Sequence, residues 1–167
     1  WALRRNPKYY NFDNLGGDCT NFASQCIYAG AGIMNYTPTF GWYYIDINNR
    51  APAWTGVEYL YNFVTTNEGE GPFGEDAPLH KLQPGDIVQL GTATGDYYHS
   101  PVVVAVKRGR IYVAAHTYDA YMRPLSSYIF ARARGIPIIG LHKPSFLTFN
   151  VSKEFLILCI IYYTHRV

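Results

Sequence analysis

Cysteine is scarce, with three in 167 residues. So small and odd a number excludes a disulfide framework, and with no Cys-x-x-Cys pair a structural zinc site is not expected. Charge is sparse as well. Asp, Glu, Lys and Arg make up 16% of the chain, the formal net charge is +2 and no basic run occurs, so nucleic acid is not an expected partner. The nine-residue apolar run Phe155 to Tyr163 is too short to cross a bilayer, for which roughly 20 residues are needed. No signal peptide is present and the chain begins at Trp1, so the expectation is a segment of a longer, multidomain polypeptide. Its length suits one compact domain with a substantial core. Aromatics are plentiful, at 17% with 16 tyrosines, a balance that suits a wet, aromatic-lined groove.

The stretch Gly16-Gly17-Asp18-Cys19-Thr20-Asn21-Phe22-Ala23-Ser24-Gln25-Cys26 carries the clearest chemistry. Asp18 is a strong N-cap residue, and Phe22, Cys26 and Ala29 recur at helical spacing. A helix is predicted from Cys19 to Gly30-Ala31-Gly32. Cys19 then sits in the first turn, where unpaired N–H groups and the positive dipole end favour a thiolate. Cys26 lies on nearly the same face about 10 Å further along the axis, too far for a disulfide with Cys19, and reads as a buried apolar residue.

Elsewhere the chain reads as helices followed by strands. Met34 to Pro52 is rich in Gly, Pro, Asn and aromatics; it forms either a substrate wall or an irregular segment pinned by its own rings. Thr55-Gly56-Val57-Glu58 reads as a capping box opening a helix with Val57, Leu60, Tyr61 and Val64 on its apolar face, closed by Asn67 to Gly71. Strands are predicted at Ile87 to Leu90, Tyr97 to Val106, Ile111 to His116, Tyr128 to Ala133 and Ile136 to Leu141. This order predicts an α+β fold with an antiparallel sheet. If Lys107 pairs with Arg110, His99 and His116 share one face as diagonal neighbours. A one-residue shift instead turns His116 to the other face and brings Asp119 opposite His99. Either His116 or Asp119 can thus orient His99, and the commoner loop lengths give the His116 register.

A thiol at a helix start, a histidine on a strand and a polar orienter on the next strand form the set needed for cysteine catalysis. The oxyanion requires the Cys19 N–H and a further donor; Asn14, Asn21 and Tyr10 are candidates, and Asp18 can support the site. Zinc held by His99, His116 and Asp119 is conceivable from ligand type but leaves the placement of Cys19 unexplained, so neither metal nor cofactor is expected.

Asn6-Pro7-x-Tyr9, Phe12, residues 16–22, Ser24-Gln25-Cys26, Trp54-Thr55-Gly56, residues 82–86, His99-Ser100 and residues 115–119 together resemble the "putative amidase domain" of bacterial, mainly Gram-positive, proteins. That family is similar to the NlpC-type and CHAP cell-wall hydrolases of papain-like fold. The resemblance covers about Trp1 to Arg134. It implies Cys19 as nucleophile, His99 as base, His116 as the third polar residue, and an amide bond of peptidoglycan, or a related peptide or N-acyl bond, as substrate. It also implies export to the cell surface. The sequence departs from the family at Tyr98, where a second histidine is usual, and at Pro101, which belongs at a strand start or an edge. Residues 1–142 are therefore expected to form the amidase domain and 143–167 a tail: a final strand, a docked helix or neither. The contrasting expectation is a non-catalytic wall-binding module that uses its aromatic groove.

Overall fold

A computed structural model describes residues 2–143 of the chain. The tail from Pro144 onward, with the run Phe155 to Tyr163 and His165, lies outside the described residues.

The first helix, α1, runs Cys19–Ala31 and ends on Gly32, whose φ of 67° is the left-handed cap that glycine adopts without strain. Gly32 N–H donates to the Tyr28 carbonyl at 2.8 Å, closing the last turn. A short helix, α2 (Pro52–Thr55), leads into α3 (Val57–Thr66). The predicted capping box is not there. Gly56 is the N-cap of α3, while Thr55 ends α2 and its hydroxyl accepts from Arg50 Nε at 3.2 Å. Glu58 instead reaches Arg134 at 3.0 Å. Pro52 starts α2 ahead of Gly56, where a helix capped by Thr55 would begin, and this moves the boundary. The buried face of α3 is Leu60, Phe63 and Val64; Val57 and Tyr61 are only half-buried.

Eight strands follow among the described residues: β1 (Gly71–Gly74), β2 (Ile87–Gly91), β3 (Tyr97–His99), β4 (Val102–Lys107), β5 (Arg110–Ala115), β6 (Ala120–Pro124), β7 (Arg132–Ile136) and β8 (Ile138–His142). Strand β2 is the centre of a six-stranded antiparallel sheet, with β7 on one edge and β3 and β4 on the other. Strands β5 and β6 extend the sheet beyond β4, and β1 pairs separately with β8. Tyr97 to Val106 is thus broken at Ser100-Pro101 rather than continuous, because Pro101 has no N–H to give a ladder. Both pieces still keep one register against β2, with Leu90 opposite His99 and Ile87 opposite Val102. Pro101 contributes what it has: its carbonyl accepts from Val88 N–H at 2.9 Å.

Alternation along these strands sorts side chains to two faces. Ile87, Val102 and Ala114 meet Phe22, Ala23, Cys26 and Ile27 of α1 in the main core, which also holds Trp42, Trp54 and Leu60. Val88, Leu90, Val103 and Val113 pack on the opposite face with Leu82 and Leu125. The architecture is α+β: helices on one face of an antiparallel sheet. Two indole N–H groups tie this core to the polar flank of α1, Trp54 Nε1 donating to Asn21 Oδ1 at 2.9 Å and Trp42 Nε1 to Ser24 Oγ at 3.0 Å.

The β4–β5 hairpin decides where the histidines point. Lys107 does pair with Arg110 across a two-residue turn, and Arg108 and Gly109 both take positive φ (50° and 74°), as a type I′ turn requires. A bulge between Val103 and Ala105 then shifts the pairing by one, so Val102 faces Ala114. The shift undoes the expected diagonal contact. His99, opposite Leu90, lies on the side that carries Tyr128, whereas His116 stacks on Phe22 on the α1 side, with ring centroids 4.2 Å apart.

Candidate active site

Cys19 is the first residue of α1 and His99 the last residue of β3, and both, though buried, line one cleft of about 400 Å³. Gly16, Gly17, Thr117, Tyr98, Tyr118, Arg123, Ser127, Tyr128 and Ile129 complete its lining. The link between thiol and imidazole is Ser100. Its backbone N–H donates to the Cys19 sulfur, and its hydroxyl accepts from Thr20 Oγ1 and from Gln89 Nε2, both at 3.2 Å. Gln89 is anchored in turn by Val57 O (2.8 Å) and by Arg134, whose Nε and Nη2 donate to Oε1 at 2.8 and 2.6 Å. Thr20, Gln89 and Ser100 are fully buried, so this chain of donors and acceptors holds the start of α1 rigidly against the residue after His99. Sequence reasoning did not find Gln89 or Ser100. The available signal was an amide within the apolar run Ile87 to Leu90, which must have a partner when buried.

Asp18 occupies the N-cap position, but its carboxylate caps no helix N–H. Oδ1 accepts from Phe12 N–H (3.0 Å) and Asn21 Nδ2 (2.8 Å), and Oδ2 accepts from His116 Nδ1 (2.7 Å). A carboxylate can only accept, so the Nδ1 proton belongs to His116. The Asp18 N–H donates to Thr117 Oγ1 at 2.6 Å, and this bond compensates a φ of 78° that a β-branched residue seldom adopts. Burial pushes the Asp18 carboxyl up, but the hydrogen bonds from His116, Phe12 and Asn21 together with the His116 charge outweigh it. The group therefore lies below its ordinary value of 3.8. Arg5 gathers three carboxylates around this point: Asp13 at 2.6 Å, Asp119 at 2.8 Å and Asp18 at 3.4 Å.

These contacts revise several expectations. Asn21 does not offer an oxyanion donor, because its two amide hydrogens go to Asp18 and to the Tyr10 carbonyl (3.1 Å). The Tyr10 N–H is bound to Tyr44 Oη at 2.9 Å, and Asn14 is exposed. Asp119 is paired with Arg5 rather than placed across from His99, since the bulge sits in β4 and a second register shift follows in β5–β6. His99, His116 and Asp119 accordingly serve three different neighbours, and among the described residues no three His, Cys, Asp or Glu side chains gather as a metal set. The segment Met34 to Pro52 does form a wall, but of a separate groove of about 500 Å³ between Phe40, Tyr59 and Asn62.

The thiol is also not primed as helix position alone suggests. Burial pushes Cys19 up; hydrogen bonds from the Ser100 backbone and Thr20 oppose this, and the nearby Asp18 carboxylate adds to it. Withdrawal of the sulfur from water outweighs these hydrogen bonds. Burial, with the Arg123 charge close by, pulls His99 down from 6.5 to about 4. At neutral pH the resting pair is therefore a thiol and a neutral imidazole. Cys26, pushed up to about 12 by burial, is an inert part of the core.

The comparisons bear on this geometry. The family described as "Putative amidase domain" matches residues 1–139. The "Uncharacterized protein YhbB" of Bacillus subtilis (strain 168) is 31% identical over 124 residues, which is 72% of this chain and 39% of that protein. The chain thus spans well under half the length of that relative. No solved structure matches. With the match running from the N-terminal segment through β7 and into β8, the chain belongs to the "Putative amidase domain" family, whose description points to hydrolysis of amides.

Proposed function

We propose that the protein is a cysteine-dependent amide hydrolase of papain-like type acting on bacterial cell-wall peptidoglycan, as amidase or endopeptidase. One observation carries the catalytic reading: Cys19 and His99 open onto the same cleft while the N–H of Ser100, next to His99, contacts the Cys19 sulfur. In the proposed reaction His99 takes the Cys19 proton as sulfur bonds to the amide carbon, and the carbonyl electron pair moves onto oxygen. The Cys19 backbone N–H, at the start of α1, donates to that oxyanion. Collapse breaks the C–N bond, and the proton on His99 passes to the departing amine. Water then gives a proton to His99 and attacks the thioester; the acid leaves and Cys19 regains its proton. An amine in place of water would give acyl transfer from the same thioester.

Asp18 and His116 enter as positioning residues. Their buried bond fixes the residue before Cys19, and so the direction in which α1 begins. The wall substrate and a surface or secreted location rest on the family resemblance.

The test is digestion of purified peptidoglycan and N-acyl peptides, with new amino and carboxyl termini identified by mass spectrometry. Cys19→Ala and His99→Ala are expected to lower turnover by at least about 100-fold while retaining the native circular dichroism spectrum. Undiminished cleavage by Cys19→Ala would sink the mechanism. The burial of Cys19 favours one other reading, a wall-binding module without turnover; a wild type that sediments with wall but cuts nothing would establish it.

A further inference from the structure

Among the described residues lining the Cys19–His99 cleft, Arg123 is the one permanently charged side chain. It reaches the cleft through a distortion of β6. Val113 faces Arg123 but Ala115 faces Ala120, so Tyr121 and Met122 together oppose a single residue of β5. Met122 takes a φ of 55°, unusual for a side chain of its size. Bulges of this kind turn the residue that follows, and they recur beside functional clefts.

The guanidinium is then held flat. Its carbon lies 3.9 Å from the centroid of the Tyr128 ring. Nε donates to Ser127 Oγ at 2.9 Å, and Nη2 donates to the Ser127 carbonyl at 3.3 Å. Those two bonds occupy the side-on edge of the group. The end-on edge, one hydrogen each on Nη1 and Nη2, has no carboxylate among the described residues. By contrast Arg5 and Arg134 are both paired with acidic side chains. A stacked, pre-oriented fork whose end-on edge meets no carboxylate among the described residues, in a cleft that besides Cys19 and His99 is made of aromatic, hydroxyl, glycine and isoleucine groups, matches a planar carboxylate.

From this geometry we infer that Arg123 is the specificity residue of the cleft, and that it receives a free carboxylate of the substrate next to the bond presented to Cys19. This deepens the hydrolase reading and rests on it for the scissile bond. The substrate class is an acidic peptide, and a peptide whose carboxyl is capped as a carboxamide is discriminated against.

Two measurements test the inference. Stem-peptide fragments released from peptidoglycan serve as probe, in their native form and after conversion of their carboxyl groups to carboxamides. Binding of both forms to Cys19→Ala is measured by calorimetry, which needs no turnover. The acidic form is expected to bind roughly 10- to 100-fold tighter, as for a charge-assisted hydrogen-bonded pair. In Cys19→Ala/Arg123→Gln that preference disappears, and in Cys19→Ala/Arg123→Lys, which keeps the charge but not the fork, it is partly retained. Equal binding of the two forms, binding of neither, or a preference that survives Arg123→Gln overturns the inference. Turnover of the same fragments by the wild-type chain is scored separately. An inert wild type with carboxylate-selective binding sinks the hydrolase and keeps the role of Arg123; turnover without carboxylate preference does the opposite.

Discussion

Cys19 and His99 have been moved in opposite directions by the same cause, removal from water. A buried thiol resists losing its proton and a buried imidazole resists gaining one, so the resting pair carries no charge. Two consequences can be measured. Carbamidomethylation of Cys19 by iodoacetamide at pH 7 is expected to be slower than that of an unperturbed thiol. Labelling faster than a model thiol would show a resting thiolate and contradict the geometry. Turnover is expected to hold its value from neutrality down to about pH 5 and to fall only toward pH 4, where His99 is protonated. A pH–rate profile with its acid limb near 6.5 would show an ordinary, solvated imidazole. At the same scale, His116→Ala is expected to lower both activity and stability more than Asp119→Ala. His116 is buried against Asp18 and Phe22, whereas Asp119 meets Arg5 at an exposed position.

Elements show where sequence could be read and where it could not. Helix α1 was legible end to end because local signals set both termini, Asp18 before Cys19 and Gly32 after Ala31. The role of the Asp18 side chain was not legible, because its partner lies 98 residues away. A carboxylate next to a helix is locally indistinguishable from a cap. For α3 a local pattern misled: Thr55 and Glu58 have capping-box spacing, yet α2 had already taken Thr55. Thr55→Ala is therefore expected to cost only a few tenths of a kcal/mol in chemical denaturation, against about 1 kcal/mol for a lost N-cap. Ser100→Ala, which removes the hydroxyl that joins Thr20 to Gln89, is expected to cost about 2 kcal/mol, because two buried partners lose a bond. The hairpin turn was read correctly from Arg108-Gly109, but the bulge at Val103 to Ala105 was not. An extra residue within a β-branched run leaves no mark on the alternation of apolar residues.

For the whole molecule, both site groups with resolved shifts at acid pH act in the same direction. His99 has a folded value of about 4 against 6.5 unfolded, so between these limits the unfolded chain binds more protons and stability falls as pH falls. That difference corresponds to roughly 3 kcal/mol across the window. The Asp18 carboxyl is depressed; its contribution is present above 3.8 and is lost as pH drops further through the folded value. The expected outcome is a fall in melting temperature that runs from about pH 6.5 to 4 through His99 and continues below 3.8 through Asp18. His99→Gln should remove the first part and leave the second. A melting temperature flat from pH 7 to pH 4.5 would refute the assignment of that slope to His99.

The residues that enclose Cys19 come from opposite ends of the described chain: Asp18 bonds to His116 and Thr117, and Thr20 to Ser100, across 98, 99 and 80 residues. Contacts so distant in sequence form late, after the entropy of closing long loops has been overcome. A ribosome that has released α1 has still to make β3, β4 and β5 before anything can cover the sulfur. During synthesis Cys19 is therefore an exposed cysteine open to oxidation, and only the finished sheet converts it into a shielded thiol. Redox conditions during that interval, rather than in the folded protein, decide how much of Cys19 is enclosed as a thiol.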